Sequence, residues 1–221
     1  MIDYFKRTLS TLQKAIISLD ERQFLKLLDD CCYAVSNGNK IIVSGLGKNV
    51  PICEKFIGTL NSFSIDAAFL HTNSAIHGDL GIIKDNDVVI LLSKSGATAE
   101  TLILLSQIEK RRPVDWCITF ERTSELFRRC ENGLALEIDN EGDKWNIVPN
   151  NSTAIYLIVL QGLAIMLADR LGVTLEDFRI NHPGGYIGEV LKASNAGARV
   201  RPSPAEPRRK AVLTVLADRK R

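Results

Sequence analysis

The sequence predicts an α/β fold in which a parallel β-sheet lies between two layers of helices. Two observations lead to this prediction. Short β-branched segments alternate along the chain with longer segments of helical periodicity, which is the pattern of βαβ crossover units. The strand-like segments are also continuous apolar runs, such as residues 87–93, as expected for strands that helices cover on both faces.

Each element follows from its local pattern. Apolar residues at helical spacing over 3–36, interrupted near Asp20, predict two N-terminal helices that end at Asn37 and Gly38. The segments predicted as strands are 40–44, 65–70, 87–93, 114–120 and 134–138. The helices predicted between and after them are 51–61, 98–111, 124–130 and 152–171.

The helix over 152–171 is apolar almost all round, so every side of it must be covered. Two interpretations stay open: a subunit interface, or a central helix covered by the N-terminal pair. Its most apolar stretch, 154–168, is interrupted by Gln161 and is shorter than the roughly 20 residues that cross a membrane. We therefore expect no membrane partner.

Composition and charge narrow the class of protein. The chain has 221 residues, 45% hydrophobic and 24% charged, which excludes disordered and fibrous proteins. Residues 195–221 are rich in proline and basic residues, and predict a flexible basic tail after a single domain over 1–194. The overall charge is +2 and the tail carries +6, so the body before it carries −4 and is mildly acidic. We therefore expect no nucleic-acid partner.

Several cofactor and metal classes are excluded by pattern. The five cysteines form no C-x-x-C pair, and the N-terminus lacks an apolar signal region, which predicts a reduced, cytoplasmic protein. The three histidines have no metal-ligand spacing, so we expect no metal. Gly45 and Gly47 begin a dinucleotide fingerprint, but Val50 stands where a third glycine or alanine is needed. We therefore expect no dinucleotide site at this loop.

Hydroxyl groups cluster where a predicted strand meets a helix. Ser93, Ser95 and Thr98 flank Gly96, and the helix that follows offers free N–H groups and the positive end of its dipole. This pattern favours a phosphate site. The alternative is that Ser95 or Thr98 simply caps the helix, which needs only one hydroxyl.

Other candidate residues follow the same edge of the sheet or lie in glycine-rich loops. Lys48 follows the first predicted strand, and Glu141 the last. His77 and His182 lie in loops, and histidine transfers protons near neutral pH. Since ligands bind beyond the carboxyl ends of parallel strands, these residues predict a polar cleft at that edge.

In this order, four motifs resemble the sugar isomerase (SIS) domain family, and within it most closely the arabinose-5-phosphate isomerases. They are Gly-x-Gly-Lys, His-Gly-Asp-Leu-Gly, Ser-x-Ser-Gly-x-x-x-Glu and His-Pro-Gly-Gly, and the resemblance covers residues 1–194. It implies a flavodoxin-like three-layer sandwich with a five-stranded parallel sheet. It also implies a homotetramer with active sites shared between subunits, and no cofactor.

The resemblance implies interconversion of D-arabinose 5-phosphate and D-ribulose 5-phosphate through a cis-enediol. The family's active-site positions fall on Lys48, His77, Glu100, Glu141 and His182. Its phosphate-binding hydroxyls fall on Ser44, Ser93, Ser95 and Thr98. For the carbon base, both Glu100 and Glu141 stay open.

The chain departs from the family pattern at several positions. Lys94 and Ala97 stand where the phosphate loop commonly has Asn and Glu, and Asn181 precedes His182 where Ser is common. Many members continue into paired CBS domains, for which the 27 residues after Ser194 are too few. These departures leave two alternatives: an isomerase of another phosphosugar, or a non-catalytic sugar-phosphate sensor.

Overall fold

A computed structural model describes residues 1–195 of the chain. The chain divides into two compact units, Met1–Asn181 and a second that begins at His182. The strands of the first unit are β1 (Ile41–Gly45), β2 (Ala67–Phe69), β3 (Val88–Leu92), β4 (Val114–Thr119) and β5 (Asn132–Ala135). Its helices are α1 (Ile2–Ile17), α2 (Glu21–Ser36), α3 (Val50–Ser62), α4 (Thr72–Ala75), α5 (Ala99–Ile108), α6 (Glu125–Arg129), α7 (Asn151–Leu171) and α8 (Leu175–Ile180).

The five strands form one all-parallel sheet in the order β2-β1-β3-β4-β5. Strands β1 and β3 lie side by side at its centre and are buried along their whole length. Their register pairs Ile41 with Val88 and Gly45 with Leu92, so both strands end at the same edge. The segments that follow Gly45 and Leu92 therefore meet at this edge.

Alternate residues of each strand enter two separate hydrophobic cores. Ile41, Val43 and Ile90 pack into the core that contains α2, α3 and α7. Ile42 and Val89 pack into the core that contains α5 and α6. The predicted three-layer α/β sandwich with a five-stranded parallel sheet is confirmed.

Helix α7 is only partly covered. It packs against α1, α2 and α3, and side chains such as Ile155 and Leu163 are fully buried. Ile158 and Ile165 on its other side are 43% and 50% exposed. The N-terminal pair therefore covers one side of α7, as one interpretation expected, and leaves an apolar stripe on the other.

By length and composition alone, α7 is apolar enough to cross a membrane, because it has 21 residues and its apolar window extends beyond the predicted 154–168. In this fold, 44% of that window is buried inside the protein. A central core helix passes the same test. The expectations of a cytoplasmic location and of no membrane or nucleic-acid partner stay predictions.

The structure corrects one strand and adds three helices. Strand β5 spans Asn132–Ala135, not 134–138, because the buried Asn132 side chain bonds to the Asp115 carbonyl oxygen and to Lys26. A polar Asn-Gly start is not a typical strand signal. The helices that we did not predict are α4, α8 and α9 (Gly185–Asn195).

Helix α9 belongs to the second unit, which we describe by itself. The predicted basic tail, 195–221, lies outside the described residues except for Asn195. The prediction of one domain over 1–194 followed by this tail stays a prediction.

Candidate active site

The two central strands bring the first two groups of candidate residues to one edge of the sheet. A short 3-10 turn, Gly47–Asn49, follows β1 and exposes Lys48. The Asn49 side chain donates a hydrogen bond to the Leu92 carbonyl oxygen at 3.4 Å, which ties this turn to the end of β3. Lys48 therefore lies in a turn at the edge of the sheet where the segment 93–98, here called the phosphate loop, begins.

The phosphate loop has a well-defined internal geometry. The hydroxyl groups of Ser93 and Thr98 lie 2.9 Å apart, and the Gly96 N–H donates to Ser93 Oγ at 3.1 Å. Gly96 has a φ of 58°, a conformation that glycine adopts without strain. A side chain there would also overlap Ser124, so glycine is required on two grounds.

The N-terminus of α5 is uncapped. Thr98 occupies the N-cap position, but within the described residues no side chain accepts a hydrogen bond from the first turn of α5. Ser95 Oγ accepts the N–H of Ala97, which precedes the helix. The capping alternative is therefore not what the structure shows. The first-turn N–H groups remain available to an anion, with the helix dipole in their favour.

Two of the predicted hydroxyl ligands are buried. Ser44 is 2% exposed, and its hydroxyl group lies 3.0 Å from Thr72 Oγ1, which ties β1 to α4. Ser93 is 3% exposed, while Ser95 is exposed and Thr98 is half-buried. Within the loop, Ser95 and Thr98 are thus the more accessible hydroxyls. The role of all four in phosphate binding stays a prediction.

A pocket of about 320 Å³ lies between α4 and α5 and brings His77 and Glu100 together. His77 lies two residues beyond the end of α4, and Glu100 lies in the first turn of α5. The residues that line the pocket are Thr72, Asn73, Ile76, His77, Glu100 and Ile103. A histidine and a carboxylate beside one pocket can exchange protons with a bound molecule.

Glu141 lies in a very different environment from Glu100. Its side chain is 1% exposed, and Oε1 accepts hydrogen bonds from Lys94 Nζ at 2.5 Å and Ser152 Oγ at 2.6 Å. Its other oxygen, Oε2, accepts the N–H groups of Asn150 and Ser152 at 3.0 and 2.9 Å. The Glu141 carboxylate therefore caps the N-terminus of α7 and has four donors around it.

These contacts also set the charge state of Glu141. Burial raises the pKa of its carboxyl group, but the hydrogen bonds from Lys94, Ser152 and Asn150 outweigh burial, so the pKa is below its usual range. The carboxylate is thus ionised near neutral pH. Because its oxygens are already occupied, this geometry is typical of an anchor for a loop and a helix end.

His182 lies in the second compact unit, before α9. Its place beside the other candidates stays a prediction. Among residues 1–195, no three His, Cys, Asp or Glu side chains are grouped so that they could hold a metal ion.

Sequence reasoning missed four contributors to this region, namely Thr72, Asn73, Lys94 and Ser152. Lys94 was recognised only as a departure from a motif, and its partner Glu141 is 47 positions away. Asn73 and Thr72 belong to a four-residue helix, which is too short to produce a periodic signal. Ser152 is the second residue of the apolar helix α7, and its neighbours in the sequence do not indicate that its hydroxyl bonds to Glu141.

Comparisons with known proteins agree with the motifs. The family model described as SIS domain matches residues 34–168. The arabinose 5-phosphate isomerase KdsD of Pseudomonas aeruginosa is 33% identical over 186 residues, which cover 84% of this chain and 57% of that protein. KdsD of Francisella tularensis is 32% identical over 200 residues, covering 88% of this chain and 60% of that protein. The chain thus spans less than two thirds of the length of both relatives.

A solved structure is similar to this chain in both fold and sequence. The structure of c3406 from E. coli CFT073, in complex with arabinose 5-phosphate, superposes with a TM-score of 0.76 at 30% identity. The match covers 82% of this chain and 95% of that one. The similarity therefore extends over nearly the whole of that chain.

Proposed function

This chain belongs to the SIS domain family, and we propose that it interconverts D-arabinose 5-phosphate and D-ribulose 5-phosphate. One observation carries the proposal: α5 combines an uncapped N-terminus, where Thr98 bonds to Ser93 instead of capping, with Glu100 in its first turn. A phosphate at this helix end places the rest of a sugar beside Glu100 and His77, which line one pocket. The names of the relatives favour the pentose phosphate pair.

Aldose–ketose isomerisation moves one proton between C1 and C2 through a cis-enediol. The reaction needs a base at the carbon, a stabiliser for the developing oxyanion and a group that moves the proton between the two oxygens. The phosphate group supplies binding energy remote from the reacting carbons, and that energy orients them. Among the candidate residues, Glu100 and His77 line one pocket and Lys48 is exposed at the same edge of the sheet as the phosphate loop.

We assign the carbon base to Glu100. Its side chain is exposed in the pocket, so its oxygens can reach a substrate. Glu141 would have to give up hydrogen bonds to Lys94, Ser152 or Asn150 to do the same. In this scheme Glu141 anchors the loop region instead of abstracting the proton.

The remaining roles follow from charge and place. The exposed Lys48 ammonium stabilises the enediolate, and His77 positions the substrate hydroxyls. His182 promotes ring opening or moves the proton between oxygens, as the family resemblance implies. No step in this scheme needs a cofactor.

We also propose that the chain assembles as a homotetramer with shared active sites. Support comes from an apolar groove of about 380 Å³ between α1 and α7, with Leu9 and Ile17 on α1 64% and 76% exposed. The stripe of Ile158 and Ile165 continues this surface along α7. Light scattering tests the assembly: a mass of about four chains is expected, and a monomer would contradict it.

The test of function is a comparison of phosphosugars. The value of kcat/KM is measured for D-arabinose 5-phosphate, a hexose 6-phosphate and a hexulose 6-phosphate, and thermal shifts are recorded with each. Turnover fastest with the pentose phosphate supports the proposal. Turnover only with a hexose or hexulose phosphate would mean that the protein isomerises that sugar and not the pentose phosphate. Stabilisation without any turnover would indicate a sensor.

A further inference from the structure

Lys94 connects three parts of the fold from inside the phosphate loop. Its backbone carbonyl oxygen accepts hydrogen bonds from Thr119 Oγ1 and from the Phe120 N–H, both at 3.0 Å, at the end of β4. Its ammonium contacts Glu141 Oε1 at 2.5 Å, and Glu141 caps α7. The loop is thus held to β4 by the Lys94 backbone and to α7 by its side chain.

The ion pair is a separable part of this connection. If the Lys94 side chain were removed, Glu141 would keep three donors, namely Ser152 Oγ and the N–H groups of Ser152 and Asn150. The α7 cap would therefore remain in place. What would be lost is the one hydrogen-bonded ion pair that links the loop 93–98 to the segment 140–152, both of which the structure describes.

The two side chains of the Lys94–Glu141 ion pair differ greatly in exposure. The Glu141 side chain is 1% exposed and the Lys94 side chain 42%, so the carboxylate is the fixed partner and the lysine is the one that is oriented. The ion pair therefore adds a side-chain anchor at the loop position between Ser93 and Ser95. A rigid loop binds a phosphate more tightly than a loop that must be ordered on binding.

We propose that Lys94 is a positioning residue, which holds the phosphate loop in its binding conformation through the Glu141 carboxylate. The proposal rests on the proposed function only in taking the loop as the phosphate site. It assigns Lys94 no contact with the substrate. It predicts that the effect of Lys94 on affinity requires Glu141.

A double-mutant cycle tests this dependence. Calorimetry measures the Kd of D-arabinose 5-phosphate for wild type, Lys94→Met, Glu141→Gln and the double variant. We expect Lys94→Met alone to weaken binding about tenfold, and by less than about threefold when Glu141→Gln is already present. Lys110→Met, which removes an exposed lysine bonded only to Gln107 among the described contacts, controls for the lost charge.

Equal weakening by Lys94→Met in both backgrounds would overturn the proposal, because it would mean that Lys94 contacts the ligand directly. Steady-state kinetics add a second criterion: Lys94→Met should raise KM far more than it lowers kcat. Lys94→Arg, which keeps the charge, should recover part of the affinity.

Hydrogen exchange separates this proposal from the proposed function. The amides of residues 95–98 should exchange faster in Lys94→Met than in wild type and remain unchanged in Lys110→Met. Unchanged exchange in Lys94→Met would overturn the proposal whatever the protein binds. If the exchange effect appears and wild type binds no phosphosugar, the positioning of the loop stands and the proposed function fails.

Discussion

Thr98 Oγ1 lies 2.9 Å from Ser93 Oγ, so the residue at the N-cap of α5 bonds to the end of β3 instead of to its own helix. This relationship leaves the first-turn N–H groups of α5 uncapped and sets two hydroxyls beside them. The proposed phosphate site rests on this absence of a side-chain cap. Substitution of Thr98 therefore tests the effect of its hydroxyl on phosphosugar binding and on stability.

Thr98→Ala should weaken phosphosugar binding about ten- to a hundredfold, because a hydrogen bond to a charged group contributes about 1.5–3 kcal/mol. Stability should change by less than the roughly 1 kcal/mol that loss of a cap costs. Calorimetry and urea unfolding check both values. Ser106→Ala, which removes a hydroxyl that donates to the Leu102 carbonyl oxygen and accepts from Arg129, is the control for phosphosugar binding. Wild-type affinity in Thr98→Ala would exclude Thr98 from the phosphate site.

Glu100→Gln should lower kcat about 10²- to 10⁴-fold, the usual contribution of a general base. The Kd of the phosphosugar should stay within about threefold of wild type, since the amide removes no part of the phosphate loop. Glu109→Gln, just beyond the other end of α5, provides a matched control because Glu109 pairs with Arg129 away from the pocket. Near-normal turnover in Glu100→Gln would show that another residue is the carbon base.

Gly96→Ala should destabilise the protein by about 2–4 kcal/mol, which combines backbone strain at positive φ with overlap against Ser124. Ser124 caps α6 through the Phe127 N–H, so it cannot move without a further cost. Gly38→Ala isolates the strain alone, because Gly38 also has a positive φ but no atom near its missing side chain. It should cost only about 1 kcal/mol. Equal losses in the two variants would show that the Ser124 contact is unimportant.

Glu141→Gln should destabilise the protein on the order of 2 kcal/mol at pH 7, because Lys94 loses its partner and two backbone donors lose a charged acceptor. The folded pKa of Glu141 is below its unfolded value of about 4.3, so this contribution is complete above that value. It is lost as the pH falls through the folded pKa.

The gap between wild type and Glu141→Gln should therefore close in acid. Lys94 is the charged group that faces Glu141, and the Tyr156 hydroxyl, whose pKa burial raises, stays neutral throughout this range. Urea unfolding at pH values from 7 to 3 measures the gap, with Asp139→Asn, an exposed partner of Lys14, as the control. A gap that stays constant or widens in acid would contradict the role of the ionised carboxylate.

The sheet and the phosphate loop were predictable because their signals are local. Continuous apolar runs such as β3 identify buried parallel strands, and Gly96 between hydroxyl residues marks a loop that meets a helix end. Strand β5 was misplaced because its first residue, Asn132, is buried by long-range hydrogen bonds and not by apolar character. Local propensity carries no information about such partners.

The environment of the two glutamates was not predictable for a similar reason. Nothing near Glu141 in the sequence indicates that Lys94 and Ser152 surround its carboxylate, and nothing near Glu100 indicates that His77 shares its pocket. The sequence left both as candidates for the carbon base. The folded structure distinguishes them: the Glu141 oxygens are already hydrogen-bonded, whereas the Glu100 side chain is exposed in a pocket.

Proton NMR of the purified protein with D-arabinose 5-phosphate in D₂O tests the proposed isomerase activity. We expect D-ribulose 5-phosphate to form and deuterium to enter the sugar at the carbon whose proton is transferred, since an enediol exchanges that proton with solvent through the base. Absence of isomerisation and of exchange, together with a clear thermal stabilisation by the same sugar, would overturn the proposed activity and indicate a protein that binds the phosphosugar without isomerising it.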